Sequence, residues 1–143
     1  ANDIYINSRK TAGILIENTI QKSKVKSSII GIGVNVNQLN FKSDRFATSL
    51  RLENGTEFAL KNLLNDFCKI LEKNYLLLKN NKIKELKSYY FSNLIGFQEE
   101  RKYIVKNETI TGVITDVKNN GLLEIKSNNK TLHFDLKEIK FIF

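Results

Sequence analysis

Ile30-Gly31-Ile32-Gly33-Val34-Asn35-Val36-Asn37 is the segment that most narrows what this chain can fold into. Its alternation is the period of a β-strand: Ile30, Ile32, Val34 and Val36 share one face, built for a core, while Gly31, Gly33, Asn35 and Asn37 share the other. Glycine weakens a strand interior, because it adds no packing and loses the most backbone entropy on folding. Two on one face call for a reason outside the strand. Either a flat ligand lies against the backbone, or a crossing helix or second sheet packs closely onto it. Asn35 favours the ligand, since an amide both donates and accepts and suits the edge of a heteroaromatic ring. The run is neither a dinucleotide-binding nor a Walker loop, whose remaining glycines and lysine are missing.

From Asp3 to Gln38 the Ile- and Val-rich runs predict three strands in an antiparallel meander, split by Asn7-Ser8-Arg9 and by the polar run Gln21 to Lys26. Pairing across Asn7 to Arg9 brings Asn2, Asp3 and Lys10 near one another. An amide, a carboxylate and an ammonium suit an anionic substrate and a proton acceptor; the alternative is solvated surface. Strict alternation from Lys10 to Gly13 puts those two on opposite faces. For both to serve one site, the strand needs a bulge or a lysine bending inward at its mouth.

Asn40 to Asn54 reads as a connecting loop, aperiodic apart from Ala47-Thr48-Ser49-Leu50 and closed by the turn signal Asn54-Gly55. After Thr56, taken as N-cap, Leu60, Leu63, Leu64, Phe67, Leu71, Tyr75 and Leu78 recur at spacings of three and four, which predicts a helix ending near Asn80-Asn81. A shorter stripe through Ile83, Leu86, Tyr89 or Tyr90, and Leu94 predicts a second. Period two returns after Gly96, around Lys102 to Val105, Thr109 to Val117, Leu122 to Lys126 and Thr131 to Leu136, with turns at Lys118 to Gly121 and Ser127 to Lys130. Four or five short strands in so little chain make a small SH3-like β-barrel. The expected fold is α+β: a partial antiparallel or mixed sheet with helices over residues 1–95, then the small barrel over residues 96–143.

The formal charge of +8 over 143 residues raises the question of nucleic acid, but its distribution argues against it. Residues 1–40, 41–95 and 96–143 carry +3, +4 and +1, so no third is a basic domain. Nineteen Lys beside 18 Asn and 17 Ile match an AT-rich coding bias. One Cys forms neither an internal disulfide nor a zinc cage, which suits a reducing compartment. Cys68, beside Phe67 and Leu71, reads as a packing residue, and His133 as a solvent-facing barrel residue with no second His to complete a metal pair. With no apolar stretch of membrane-spanning length and no leader, the expectation is a soluble cytoplasmic protein without a protein-bound metal. The lack of any Met, the first residue included, suggests a processed start or a missing N-terminal part.

Three motifs, Asn2-Asp3-Ile4-Tyr5, Lys10-Thr11-Ala12-Gly13-Ile14-Leu15-Ile16-Glu17 and Ile30 to Asn37, resemble in order and spacing the second half of the catalytic domain of biotin protein ligases. The long helix and terminal barrel follow as in that family, so the resemblance covers nearly the whole chain. It implies a two-step ligation: ATP, with Mg2+, adenylates the biotin carboxylate, and a lysine of a biotin carboxyl carrier domain then takes the biotin. Lys10 matches the family's essential lysine, which meets the biotin carboxylate and the phosphate. Asn2 and Asp3 match the pair that orients the adenylate and helps the incoming lysine lose its proton. Gly13 and Gly31 match glycines on which biotin lies; Asn35, with Gly33 and Asn2, falls to the adenylate. Ala1 stands where the family usually has Pro, and the glycine- and arginine-rich loop that clamps the adenylate belongs upstream of residue 1. The resemblance therefore implies the C-terminal half of an enzyme, inactive alone, that acts on a carrier protein and admits a homodimer; membrane and nucleic acid are excluded for this chain by its hydropathy and charge distribution. A lipoate protein ligase and a noncatalytic binding or regulatory module are the alternatives.

Overall fold

The computed structural model describes residues 2–41, 46–135 and 138–142. Contacts gather the chain into two compact units, Ala1–Leu71 and Glu72–Phe143.

In the first unit, strands β1 (Asp3–Ile6), β2 (Arg9–Gln21) and β3 (Lys24–Val34) form an antiparallel sheet in the order β1-β2-β3, the expected meander. Both connections are two-residue turns, Asn7-Ser8 with φ of 50° and 61° and Lys22-Ser23 with 49° and 61°. Left-handed values at both positions define the type I′ turn, whose twist matches that of the flanking strands. Ile32 stands opposite Ile14, Ile30 opposite Ile16 and Val34 opposite Ala12, so the alternation holds to Val34, where β3 ends; Val36 lies beyond it. The Ile face is not a core within this chain. Ile30 and Ile32 are 47% and 37% exposed, as is every residue of β3 to some large degree, because no described element covers them.

The stretch expected to be a loop holds more structure than its composition suggests. Ala47 bridges Lys10 in parallel, and α1 (Leu50–Asn54) follows, with the Ser49 hydroxyl accepting from the Leu52 N–H at 3.2 Å and Gly55, at φ 76°, closing its end. Residues 42–45 of this stretch, like Ala1 and Leu136 of the expected motifs, lie outside the described residues. Helix α2 (Leu60–Lys79) begins four residues past Thr56, which is therefore not its N-cap. Asn37 explains the late start: its Nδ2 donates to the Phe58 carbonyl at 2.8 Å and its Oδ1 accepts from the Phe58 N–H at 2.9 Å. With both backbone groups taken, Phe58 cannot join a helical ladder. Helix α2 runs across the division between the two units, and none of its residues is buried.

The second unit holds α3 (Ile83–Ser92) and five antiparallel strands, β4 (Glu100–Val105), β5 (Glu108–Val117), β6 (Leu123–Ser127), β7 (Lys130–Phe134) and β8 (Ile139–Phe141), paired in the order β7-β6-β5-β4-β8. Type I′ turns at Lys106-Asn107 and Asn128-Asn129 repeat the device of the first unit. Tyr103, Ile114 and Ile125 are fully buried and Ile139 nearly so, with Leu94, Phe97, Phe134 and Phe141 packed against them. Tyr103 meets Phe141 edge to face at 5.3 Å between ring centroids. Helix gives way to strand around Gly96, where the sequence pattern placed a domain boundary, whereas the contacts divide the chain earlier, between Leu71 and Glu72.

Candidate functional site

Asp3 pairs with Gly13 and Ile4 with Ala12, but Tyr5 pairs with Lys10, leaving Thr11 as an extra residue in β2. This is the bulge that the sequence demanded. One inserted residue resets the alternation, so Lys10 falls on the side of the sheet that carries Asp3. Lys10 Nζ stands 2.7 Å from Asp3 Oδ1, with the two side chains 40% and 39% exposed. An ion pair this wet adds little to stability, which leaves both groups available to a ligand. Gly13 lies beneath them: a Cβ placed there would come within 3.7 Å of Asp3 Oδ1 and 4.0 Å of Lys10 Nζ.

Gly13 is directly opposite Gly33, so two bare backbones adjoin on this face. A Cβ on Gly33 would meet nothing within 4 Å, and one on Gly31 only the Leu15 carbonyl at 3.9 Å. Among the described residues no crossing element packs there. A shallow cleft of about 320 Å³ is lined by Lys10, Ala12, Gly13, Gly33, Val34, Asn35 and Ala47. Gly31 lies further along β3, opposite Leu15 and outside this lining. Asn2 is pinned by its carbonyl, which accepts from the Ile14 N–H at 2.6 Å, and its side chain is exposed.

Asn35 sits just past β3. Its backbone N–H donates to the Thr11 carbonyl at 2.9 Å and its side-chain Nδ2 to the Thr48 carbonyl at 3.0 Å, which turns Oδ1 into the group left to accept.

Four residues around this cleft escaped the sequence reading. Thr48 is fully buried, and its hydroxyl donates to Glu53 Oε1 at 2.6 Å. Asn7 Nδ2 donates to Glu53 Oε2 at 2.7 Å, and Arg9 Nη2 lies 2.7 Å from Glu53 Oε1. The hydrogen bonds from Thr48 and Asn7, with the charge of Arg9, hold the Glu53 carboxyl below the usual carboxylate range despite its desolvation. The one available signal was Ala47-Thr48-Ser49-Leu50, ordered-looking residues in an aperiodic stretch. Cys68, expected to pack, is exposed on α2. His133 does face outward, opposite Glu124, with Nε2 3.2 Å from Glu124 Oε2.

Fold and site together define an α+β protein in which a lysine–carboxylate pair overlooks a floor of bare backbone at the mouth of a β-meander. No protein-family model matches the chain. It is 31% identical over 133 residues to the bifunctional ligase/repressor BirA of Bacillus spizizenii, a match spanning 88% of this chain and 40% of that protein. The BirA of Bacillus subtilis is 30% identical over 131 residues, 89% of this chain and 40% of the relative. The crystal structure of biotin protein ligase from Aquifex aeolicus superposes with a TM-score of 0.74 at 27% identity, covering 99% of this chain and 62% of that one. The same enzyme in complex with biotin and ATP gives 0.71, covering 97% and 58%. In sequence and fold the chain thus corresponds to the C-terminal part of biotin protein ligases, spanning about 40% of the length of the curated relatives it matches.

Proposed function

We propose that this chain supplies part of the active site of an ATP-dependent biotin protein ligase. The observation that carries the reading is the bulge at Thr11, which sets Lys10 beside Asp3 over the Gly13–Gly33 floor. In the first step a biotin carboxylate oxygen attacks the α-phosphorus of ATP and pyrophosphate leaves; Mg2+ accompanies the nucleotide. The Lys10 ammonium offsets the negative charge that builds between carboxylate and phosphate. Biotin lies on Gly13 and Gly31, and Gly33, Asn35 and Asn2 hold the adenylate, with Asn35 Oδ1 accepting from the adenine amine. In the second step the amine of a carrier-domain lysine attacks the acyl carbon, AMP leaves, and Asp3 takes the amine proton. This chain makes one wall of the pocket and is inactive without the remainder of the enzyme, because a ligand on a single face stays mostly in water, far from the ~70 to 90% burial of a small-molecule site. The barrel from Gly96 onward is a separate domain of the same cytoplasmic enzyme.

In the complete enzyme, Lys10→Ala should slow biotinyl-adenylate formation by about 100-fold or more, or ~3 kcal/mol of transition-state stabilisation, with the circular dichroism unchanged. Trapping the adenylate with radiolabelled ATP measures it. A rate within a few-fold of wild type would return Lys10 to the solvated surface, and transfer of lipoate in place of biotin, or no adenylate with either acid, would overturn the assignment.

A further inference from the structure

Lys10 and Asn35 belong to different strand ends, and one buried residue joins them. The Thr48 N–H donates to the Lys10 carbonyl at 2.8 Å, its carbonyl accepts from Asn35 Nδ2 at 3.0 Å, and its hydroxyl donates to Glu53 at 2.6 Å. The neighbouring Phe46 carbonyl takes the Lys10 N–H at 2.6 Å, and the Leu50 N–H donates to the Asn35 carbonyl at 2.9 Å. Phe46 to Leu50 is therefore a strap stitched to both residues. Within it Thr48 and Ser49 are wholly buried. Behind it, Glu53 accepts from Thr48 with the oxygen that also faces Arg9, while its second oxygen accepts from Asn7. Asn7 lies in the β1–β2 turn and Arg9 follows it, and the turn's left-handed residues set the register that puts Tyr5 opposite Lys10.

We propose that Thr48, anchored by Glu53, is a positioning residue that sets the separation of Lys10 from Asn35, and with it the distance between the reacting carboxylate–phosphate end and the adenine end of the adenylate. The proposal rests on the function inferred above. Two features single out this role from ordinary packing. Every polar atom of Thr48 has a partner in a different segment, and the anchoring carboxylate spans from the strap to the β1–β2 turn, two residue pairs from the bulge. Displacing a group at a reacting centre by about 1 Å costs rate on the order of 100-fold without unfolding anything, so a loosened strap shows in kinetics first.

The test compares Thr48→Val, Thr48→Ser and Glu53→Gln in the complete enzyme with biotin and ATP. Thr48→Val keeps shape and loses the hydroxyl. It should lower kcat for adenylate formation by about tenfold or more and raise KM for ATP, through Lys10 and Asn35 respectively. Thr48→Ser should restore both, and Glu53→Gln should fall between. Nuclear magnetic resonance gives a readout that does not depend on activity. In Thr48→Val the Asn35 side-chain amide and the Lys10 backbone amide should both shift, while barrel resonances such as that of Ile114 stay in place. A valine variant with unchanged kcat and KM, or a serine variant as impaired as valine, overturns the proposal in an active enzyme. Unmoved Asn35 and Lys10 resonances overturn it even if the wild type forms no adenylate, an outcome that would by itself defeat only the functional reading.

Discussion

Gly112 and Gly33 both lie within antiparallel strands, in β5 and β3. A Cβ on Gly112 would stand 2.6 Å from Ile125 Cγ2 and 2.7 Å from the Lys126 carbonyl, whereas one on Gly33 would meet nothing within 4 Å. In the five-stranded sheet the missing side chain lets strands and core close; in the meander it leaves a floor that no described residue covers. The same contrast runs through the larger residues. Tyr103, Ile114 and Ile125 are wholly buried in the second unit, while Ile16, Ile29 and Ile30 of the meander are 55%, 70% and 47% exposed. One region completes its own core. The other presents apolar and bare-backbone surface, and the residues it does bury, Thr11, Ala12, Thr48 and Ser49, cluster at the end that holds Lys10. Close packing in the first unit is thus reserved for the candidate site.

The largest expected effect tests that difference directly. Ile114→Ala should destabilise the second unit by about 2 to 5 kcal/mol, as truncation of a fully buried residue does. Ile30→Ala should cost this chain at most about 1 kcal/mol, since half of the side chain is already in water. Urea denaturation of both variants measures the gap, and equal losses would mean that the Ile face is covered in solution.

The two glycines provide a sharper version. Gly112→Ala should cost about 1 to 3 kcal/mol through overpacking against Ile125, while Gly33→Ala should leave the melting temperature unchanged. In the complete enzyme Gly33→Ala should nonetheless weaken ATP binding, which isothermal titration would detect. A destabilised Gly33→Ala would show instead that something packs on the floor.

The smallest effect concerns charge on the five-stranded sheet. Lys118 Nζ lies 2.5 Å from Glu124 Oε2, and hydrogen bonds from Lys118 and then Thr115 pull the Glu124 pKa down to about 2 from an ordinary 4.5. A carboxyl depressed in the folded state contributes stability at pH values above its unfolded pKa and loses it as the pH falls through the folded one. The stability of the second unit should therefore decline between about pH 4.5 and about pH 2, and Glu124→Gln should flatten that part of the profile. Denaturation midpoints at pH 6 and pH 2.5 provide the comparison; an identical slope in both proteins would assign the acid loss to other carboxylates.

Much of this molecule was legible from local pattern. Period two placed seven strands, the polar interruptions at Asn7-Ser8 and Asn128-Asn129 marked turns whose left-handed residues the structure confirms, and spacings of three and four found α2 and α3. These features are set by neighbours along the chain, so the residues themselves carry the information. Gly31, Gly33, Lys10 and Asp3 were also recognisable as candidates, because glycines on one strand face and a carboxylate near a lysine are visible without coordinates, while Gly13 came only from the family resemblance. Whether Lys10 and Asp3 could meet was not. Alternation alone separated Lys10 from Gly13, and only pairing between β1 and β2 revealed the extra residue that reunites them. The Thr48–Glu53 anchor, the short α1, the late start of α2 and the exposure of the Ile face belong to the same group. Each depends on a partner distant in sequence, such as Asn7 for Glu53, Lys10 for Thr48 or Asn37 for Phe58, or on the lack of one for β3. A hydrogen bond between residues 46 positions apart leaves no periodic trace, so the tertiary structure decided where the site closes, while the sequence determined what it is made of.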